Sequence, residues 1–337
     1  MTTHHLVLIG GDDDEVACLT EDQTSTHCRV ACTFREKTIY AFIKKDWKIM
    51  NSIHNCSWAL GLCFLVIWQS ALASEVVDDS FMSKHLGREY KMRVYLPDGY
   101  KDERKLQFPV VYLLHGSGAD EKWWTGRGGA EVTLNALIAR EQMRPSIVVM
   151  PGNGRNYYLD GPSEKAERAI LDELLPYIEA KYKVSKERNA RIIGGLSMGG
   201  YGALNFALKY ADKFCAAMLM SPAVFDPLPP ATSSARSVPV FMKNGLFDPD
   251  LWKSHHYLSH LDAYQKKGER VSFWIMSGDH DNLGIALLSA QLYARLLPIQ
   301  PKQVELRIVD GDHEAMVWRD ALPDALRYAD EQCVRPR

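Results

Sequence analysis

RIIGGLSMGGYGALNFALKY, residues 191–210, contains an apolar run, a serine flanked by glycines and a helical pattern in direct succession. Gly195, Ser197 and Gly199 form the pattern G-x-S-x-G within it. Glycines at these positions omit the Cβ atoms that would collide in a tight turn between a strand and a helix. A helix that begins near Met198 would also direct its free N–H groups toward the serine. The segment therefore predicts that Ser197 is an exposed nucleophile at the carboxyl edge of a sheet.

The pattern alone is weak evidence for chemistry, because glycine-rich turns also serve close packing and short motifs arise by chance. Its context strengthens the prediction, since a strand-like run precedes it and a helix-like run follows it. A serine hydroxyl is a poor nucleophile unless a base takes its proton and hydrogen-bond donors stabilise the oxyanion. The rest of the chain must therefore supply a base, an acid that orients the base, and these donors.

From residue 74 onward, strand signals alternate with helix signals. PVVYLLHG at 109–116 is a nearly continuous apolar run, as expected for a strand that is buried on both faces. Apolar residues recur every four positions over 167–182, which is typical of an amphipathic helix, and Pro176 is expected to kink it. This alternation predicts an α/β fold with a mostly parallel central sheet and helices on both faces.

Two later segments, MSGDHDNL and VDGDHEAMVW, each follow a predicted strand. In this fold class the acid and the base follow the nucleophile in the order Ser, Asp, His. His313 is the best candidate base and Asp281 the preferred acid, because the acid holds the imidazole in one tautomer. Asp279 is an alternative acid that could instead be a turn residue, and His280 could compete as the base.

The oxyanion donors should come from the turn after the nucleophile and from the loop after an earlier strand. Met198 follows the serine directly, and LLHGSG supplies the loop with Ser117 as its donor. Gly116 would allow the backbone to approach closely, although HGSG could also be a simple packing turn.

Several aromatic residues are near the predicted active edge in the sequence. They could line a pocket for an acyl or aryl group, or they could belong to the core. The pocket prediction names Trp124, Tyr158, Tyr201 and Trp318, with Trp123 and Tyr157 beside them.

The composition argues against several other functions. A formal net charge of -2 gives no indication of binding to nucleic acid. Of the seven cysteines, only Cys215 and Cys333 lie beyond residue 74, so we expect neither a disulfide framework nor a zinc site in the main body. His27, Cys28 and Cys32 offer too few ligands for a metal site. We expect no metal and no organic cofactor.

The charge-free stretch after Lys48 contains WALGLCFLVIW followed by QSALAS. The apolar part is short for a membrane span, which needs about 20 residues, but it fits a secretory signal with a small-x-small cleavage pattern. We therefore expect a signal peptide over residues 50–73, cleavage near Ala73, and an exported protein without a membrane span. An uncleaved anchor or a buried strand are the alternatives. Residues 1–49 are expected to be unstructured or to result from an upstream start codon.

YLLHGSGADEKWW, GLSMGGYGAL, GDHD and GDHEAMVW together resemble the putative-esterase family of α/β-hydrolases. That family includes S-formylglutathione hydrolases, feruloyl and acetylxylan esterases, enterochelin esterases and mycolyltransferases. The resemblance covers about residues 88–330 and implies an α/β-hydrolase domain over 74–337. The roles it implies are Ser197 as nucleophile, Asp281 as acid, His313 as base, and Ser117 and Met198 as oxyanion donors.

The resemblance implies a serine carboxylic ester hydrolase that acts through an acyl-enzyme on short-chain, aryl or sugar esters, either small or linked to a polysaccharide. Leu196 and Tyr201 depart from the GHSMGGHGA of cytosolic S-formylglutathione hydrolases, which argues against a glutathione thioester as substrate. The alternatives are an acyltransferase of the mycolyltransferase type and a thioesterase. A non-catalytic binding protein would require a broken triad, and all three members are present.

Overall fold

The structure, a computed structural model, consists of two compact units, Met1–Ala71 and Leu72–Arg337. The residues that it describes are 7–10, 15–19, 29–33, 74–101 and 107–334.

Three short strands, β1 (Val7–Gly10), β2 (Glu15–Leu19) and β3 (Arg29–Thr33), form an antiparallel sheet in the first unit. These strands lie within residues 1–49, the segment that the sequence analysis expects to be unstructured or to result from an upstream start codon. The predicted signal peptide at 50–73 lies outside the described residues, so it stays a prediction.

The second unit is built on an eight-stranded sheet with the order β13-β12-β9-β8-β6-β7-β5-β4. The six strands from β13 to β7 are mutually parallel. At one edge of the sheet, β5 pairs antiparallel with β7, and β4 pairs antiparallel with β5. The mostly parallel sheet is therefore confirmed. Its strands are β4 (Glu75–Ser83), β5 (Arg88–Leu96), β6 (Val110–Leu114), β7 (Ile147–Pro151), β8 (Arg191–Leu196), β9 (Ala216–Met220), β12 (Ser272–Gly278) and β13 (Val304–Val309). A separate hairpin contains β10 (Met242–Lys243) and β11 (Leu246–Phe247).

Helices cover both faces of this sheet. They are α1 (Ala130–Ala139), α2 (Ala166–Arg168, Ala169–Leu174 and Leu175–Lys181 in succession), α3 (Met198–Lys209), α4 (Pro249–His255), α5 (Leu258–Lys266), α6 (Ile285–Leu296) and α7 (Ala315–Val334). Side chains of α1 and α7 pack into one core, and those of α2, α3, α5 and α6 pack into the other. Successive residues of β6 alternate between the two cores, as the apolar run predicts.

The predicted irregularity in α2 takes a specific form. Its middle segment is a π-helix, and Pro176 lies in the first turn of the segment that follows. Because proline cannot donate a backbone hydrogen bond, the wider turn that precedes it accommodates the missing donor. Within the described residues, no helix is both long and apolar enough to cross a membrane.

Cys215 and Cys333 form a disulfide with a Cα–Cα distance of 5.4 Å. The sequence analysis expected no disulfide framework in the main body and did not predict this bond. The two cysteines are separated by 118 residues, so their spacing in the sequence gives no signal, and only the fold brings them together. The bond joins the residue directly before β9 to the end of α7.

Candidate active site

The turn between β8 and α3 presents Ser197 in a strained conformation, with φ 52° and ψ −114°. Positive φ is uncommon for residues other than glycine. A Cβ atom on Gly195 would lie 2.6 Å from the Gly199 carbonyl carbon, and one on Gly199 would lie 2.4 Å from the Leu114 oxygen. Such distances are shorter than real carbon contacts, so both positions require glycine for the turn to close.

Three side chains that are far apart in the sequence meet at this turn. The Ser197 Oγ lies 3.0 Å from the His313 Nε2. The His313 Nδ1 lies 2.7 Å from the Asp281 Oδ2. Asp281 follows β12 and His313 follows β13, so both come from loops at the carboxyl edge of the sheet. The structure thus brings together the three residues that the sequence predicted as nucleophile, acid and base.

The surroundings of Asp281 suit a carboxylate that orients an imidazole. Its side chain is 0% exposed, whereas that of His313 is 15% exposed. The second carboxylate oxygen, Oδ1, accepts a hydrogen bond from the Leu283 N–H at 3.0 Å. Because Oδ2 accepts from Nδ1 of the ring, Nε2 is left with its lone pair toward the serine hydroxyl.

The competing candidates lie on the surface of the same loops. His280 and Asp279 are exposed, and the His280 Nδ1 lies 2.7 Å from the Asp279 Oδ1. Asp279 also accepts a hydrogen bond from the Gly311 N–H at 3.1 Å. Asp279 therefore acts as a turn residue, the role given above as its alternative, and His280 pairs with it rather than with Ser197.

Asp312 links the acid loop to the base loop, and sequence reasoning missed it. Its Oδ1 accepts from the His313 N–H at 2.6 Å and from the Asn282 N–H at 3.0 Å. These two backbone hydrogen bonds lower the pKa of the Asp312 carboxyl, and the one from His313 has the larger effect. The only signal in the sequence is an aspartate directly before the candidate base.

The loop after β6 lies directly beside the serine. A Cβ atom on Gly116 would be 3.6 Å from the Ser197 Cβ, which is an ordinary contact, and 2.6 Å from the Leu196 Cδ1, which would have to shift. In the described part of the chain, neither the Ser117 N–H nor the Met198 N–H donates a hydrogen bond to a protein acceptor. Neither N–H group is therefore used by the fold.

Carbonyl groups of three successive residues orient this loop. The Leu114 oxygen accepts from the Trp124 Nε1–H at 3.2 Å, and the His115 oxygen accepts from the Tyr158 hydroxyl at 2.9 Å. The Gly116 oxygen lies 2.8 Å from the His115 Nδ1. These hydrogen bonds fix the directions of the three carbonyl groups in the loop next to the serine.

The buried side chain of His115 has a defined tautomer. Its Nε2 accepts a hydrogen bond from the Asn153 N–H at 3.0 Å, so Nδ1 must carry the proton that is donated to Gly116. Burial lowers the pKa of His115, which favours this neutral form. Sequence reasoning missed both His115 and Asn153, because their roles depend on contacts between distant segments.

Three of the aromatic residues predicted to line a pocket are instead buried around the site. Trp124, Tyr158 and Tyr201 are each 1% exposed. The polar group of each is used internally, and that of Tyr201 donates to the His255 oxygen at 2.7 Å. For these three residues the structure supports core packing, the alternative interpretation.

Trp318, the fourth residue of that set, contacts the candidate base directly. Its ring centroid lies 4.9 Å from that of His313 at an interplanar angle of 84°. Its Nε1–H donates to the Oγ of Ser221, the residue directly after β9, at 2.9 Å. The partly exposed ring of Trp123 packs against it with a centroid distance of 5.8 Å.

Among the described residues, Asp279, His280 and Asp310 have ligand atoms close enough together to hold a metal ion. All three are exposed, and exposed acidic groups are common without a metal.

A model of the family described as "Putative esterase" matches residues 83–329 of the chain. The chain belongs to this esterase family. The matched range includes every residue of the site described above, from the loop after β6 to the beginning of α7.

Two relatives of this chain are named for ester hydrolysis. The chain is 33% identical over 195 residues to an endo-1,4-beta-xylanase/feruloyl esterase of Xylanibacter ruminicola, which covers 52% of this chain and 26% of that protein. It is 31% identical over 160 residues to an acetyl esterase of Caldicellulosiruptor saccharolyticus, which covers 44% of this chain and 56% of that protein. The chain thus matches only part of the length of these relatives.

A solved structure of a ferulic acid esterase has the same architecture as this family member. The TM-score is 0.66 at 27% sequence identity, and the match covers 77% of this chain and 99% of the other. The α/β-hydrolase fold is therefore confirmed for the second unit.

Proposed function

We propose that the protein is a serine carboxylic ester hydrolase that acts through an acyl-enzyme on short-chain, aryl or sugar esters. One observation carries the proposal: the continuous hydrogen-bonded series from the Ser197 Oγ to His313 at 3.0 Å and from His313 to Asp281 at 2.7 Å. An alcohol becomes an effective nucleophile when a base that is oriented by a carboxylate accepts its proton. Membership of the esterase family supports the same chemistry.

Each proposed step follows from these positions. The His313 Nε2 accepts the hydroxyl proton while the Ser197 Oγ attacks the ester carbonyl carbon. The imidazolium, stabilised by Asp281, then gives this proton to the departing alcohol oxygen, which leaves an acyl-serine. Water, deprotonated by the same imidazole, attacks the acyl carbon. The imidazolium then returns this proton to the Ser197 Oγ as the bond between Oγ and the acyl carbon breaks, which releases the acid and restores the serine.

The proposed oxyanion donors are the N–H groups of Ser117 and Met198. Met198 is the first residue of α3, so the positive end of the helix dipole also favours negative charge at this position. Hydrogen bonds that are already oriented stabilise the developing charge without reorganisation during the reaction.

The relatives suggest which esters to test first. They are named as feruloyl and acetyl esterases, so methyl ferulate, acetylated xylan and p-nitrophenyl acetate are the appropriate panel. We expect hydrolysis of at least one of these aryl or acetyl esters.

Ser197→Ala tests the proposed nucleophile. We expect the rate of p-nitrophenyl acetate hydrolysis to fall by about 10³-fold or more, because the attacking oxygen is removed. Ser254→Ala, at an exposed position in α4, is the matched control and should retain the wild-type rate. Equal rates in wild type and Ser197→Ala would refute the proposal. Product analysis with an added alcohol or sugar would detect acyl transfer if that is the main reaction.

We also propose that the protein functions outside the cytosol. Disulfides form and persist mainly in oxidising compartments, and Cys215 and Cys333 are paired within the folded domain. The signal-like segment at 50–73 supports the same proposal. Expression with this segment should yield a shortened protein in the exported fraction, with an N-terminus near Ser74.

A further inference from the structure

Tyr158 lies between the two elements that carry the proposed oxyanion donors. Its ring packs against α3, since a Cβ atom on Gly202 would be only 2.7 Å from the Tyr158 Cδ2. Its hydroxyl donates to the His115 oxygen at 2.9 Å. Met198 is the first residue of α3, and Ser117 follows His115 by two positions. One side chain therefore contacts both the helix of one donor and the loop of the other.

The backbone at this position is strained. Tyr157 and Tyr158 have φ values of 55° and 59°, in the left-handed region that bulky residues rarely adopt. The Asn156 Oδ1 holds this turn by accepting from the Tyr158 N–H at 3.1 Å and from the Asn153 Nδ2 at 2.7 Å. Such conformations persist where surrounding contacts enforce them, and they are concentrated at functional sites.

Tyr158 is suited to hold the loop rather than to bind substrate. Only 1% of the residue is exposed, so it offers almost no surface to a ligand. Burial raises the pKa of its hydroxyl well above the usual value, so the group stays protonated and donates. The His115 carbonyl that it holds belongs to the peptide group next to Gly116, which packs against Ser197.

We propose that Tyr158 is a positioning residue that sets the separation between the Ser117 and Met198 N–H groups. The inference rests on the proposed ester hydrolysis. Without the hydroxyl, the His115 carbonyl loses its partner and the loop is free to move relative to α3. Because oxyanion stabilisation depends on donors placed at hydrogen-bonding distance, this movement weakens binding of the transition state more than binding of the ester.

Tyr158→Phe, compared with Tyr264→Phe, tests this role. Tyr264 is an equally buried tyrosine in α5, and its hydroxyl donates to the Gln300 Oε1 at 2.6 Å and accepts from the Val271 N–H at 2.9 Å. Both variants remove one buried hydroxyl, but of the two only the Tyr158 hydroxyl binds the loop after β6 that carries Ser117. We would measure kcat and KM with p-nitrophenyl acetate, and the inhibition constant of phenylboronic acid, whose tetrahedral serine adduct places an oxygen at the donors.

For Tyr158→Phe we expect kcat to fall about tenfold with KM within about twofold of wild type, and the boronic acid to bind about tenfold more weakly. Tyr264→Phe should leave all three values within about twofold of wild type. Thermal denaturation of both variants shows whether they fold. Gly202→Ala provides a second variant, because its Cβ would displace the Tyr158 ring and should produce the same decrease in kcat.

Three results would overturn the inference. Wild-type kcat and boronic acid binding in Tyr158→Phe or in Gly202→Ala would show that the contact does not position the donors. An increase in KM alone would indicate that Tyr158 binds substrate. An equal loss in Tyr264→Phe would indicate general destabilisation. In contrast, a wild-type protein that neither hydrolyses the esters nor binds the boronic acid would refute the proposed function itself.

Discussion

Strand β9 and helix α7 are linked at both ends of the strand, by a hydrogen bond at one end and by a disulfide at the other. At the carboxyl end of β9, the Trp318 Nε1–H donates to the Ser221 Oγ, and the same ring contacts His313. At the opposite end, Cys215 and Cys333 are joined covalently. The end that carries the candidate base thus depends on a hydrogen bond, while the strongest link lies at the far end of the strand. We infer that the far end serves stability and the near end serves geometry.

The largest effect is expected at the near end, from Asp281→Asn. The amide carries no negative charge to stabilise the imidazolium, and its NH2 group can donate to Nδ1 and favour the wrong tautomer, so kcat should fall by about 10⁴-fold. Ester hydrolysis over a range of substrate concentrations checks this prediction. Asp279→Asn, on the exposed part of the same loop, is the control. The assignment of acid and turn residue would be reversed if this second variant lost the activity instead.

At the far end, replacing Cys215 and Cys333 with alanine should affect stability rather than rate. Loss of a disulfide that encloses a long loop lowers the free energy of unfolding by about 2–5 kcal/mol. Denaturant unfolding measures this change, and kcat at 25 °C should remain close to that of the wild type. A large decrease in kcat for the folded double variant would show that the two ends are coupled.

Trp318→Phe tests the near end without removing a proposed catalytic group. The phenyl ring still packs beside His313 but cannot donate to Ser221, so we expect kcat to fall several-fold, on the order of the loss of one hydrogen bond of about 1 kcal/mol. Kinetics with the ester and thermal denaturation together separate geometry from stability. Unchanged kcat with a lower melting temperature would assign this end to stability as well.

The smallest effect concerns α5, which packs on the face of the sheet opposite α7. Burial, with a smaller contribution from the positive charge of Lys209, lowers the pKa of His260 to about 4. The unfolded chain therefore binds a proton at higher pH than the folded chain, and stability should decrease as the pH falls from about 6.5 to about 4. His260→Gln should reduce this slope in unfolding curves measured across that range. Identical slopes would exclude a contribution of His260.

Much of the site could be predicted from the sequence because the nucleophile, the acid and the base occur along the chain in the order that is typical of this fold. Ser197 is marked by glycines that its turn requires, and Asp281 and His313 follow apolar runs that end at the same edge of a parallel sheet. These signals are local, and the sheet topology completes them.

The parts that could not be predicted depend on contacts between distant segments. Tyr158 was interpreted as a pocket residue, but its orientation follows from a left-handed backbone and from the space left by Gly202. The pairing of Cys215 with Cys333 likewise requires α7 to lie along β9. Neither spacing nor hydrophobic periodicity reports such contacts.

The disulfide between Cys215 and Cys333 determines what happens when a protease cuts the chain between these two residues. The hairpin turn at Asn244 and Gly245 is exposed, with φ values of 52° and 79°, and exposed turns of this kind are preferred sites of proteolytic nicking. A cut there separates Ser197 from Asp281 and His313 along the backbone, yet both pieces stay joined through Cys215 and Cys333. The nicked molecule would migrate as a single band on a denaturing gel until a reducing agent divides it, with the nucleophile on one fragment and its two partners on the other.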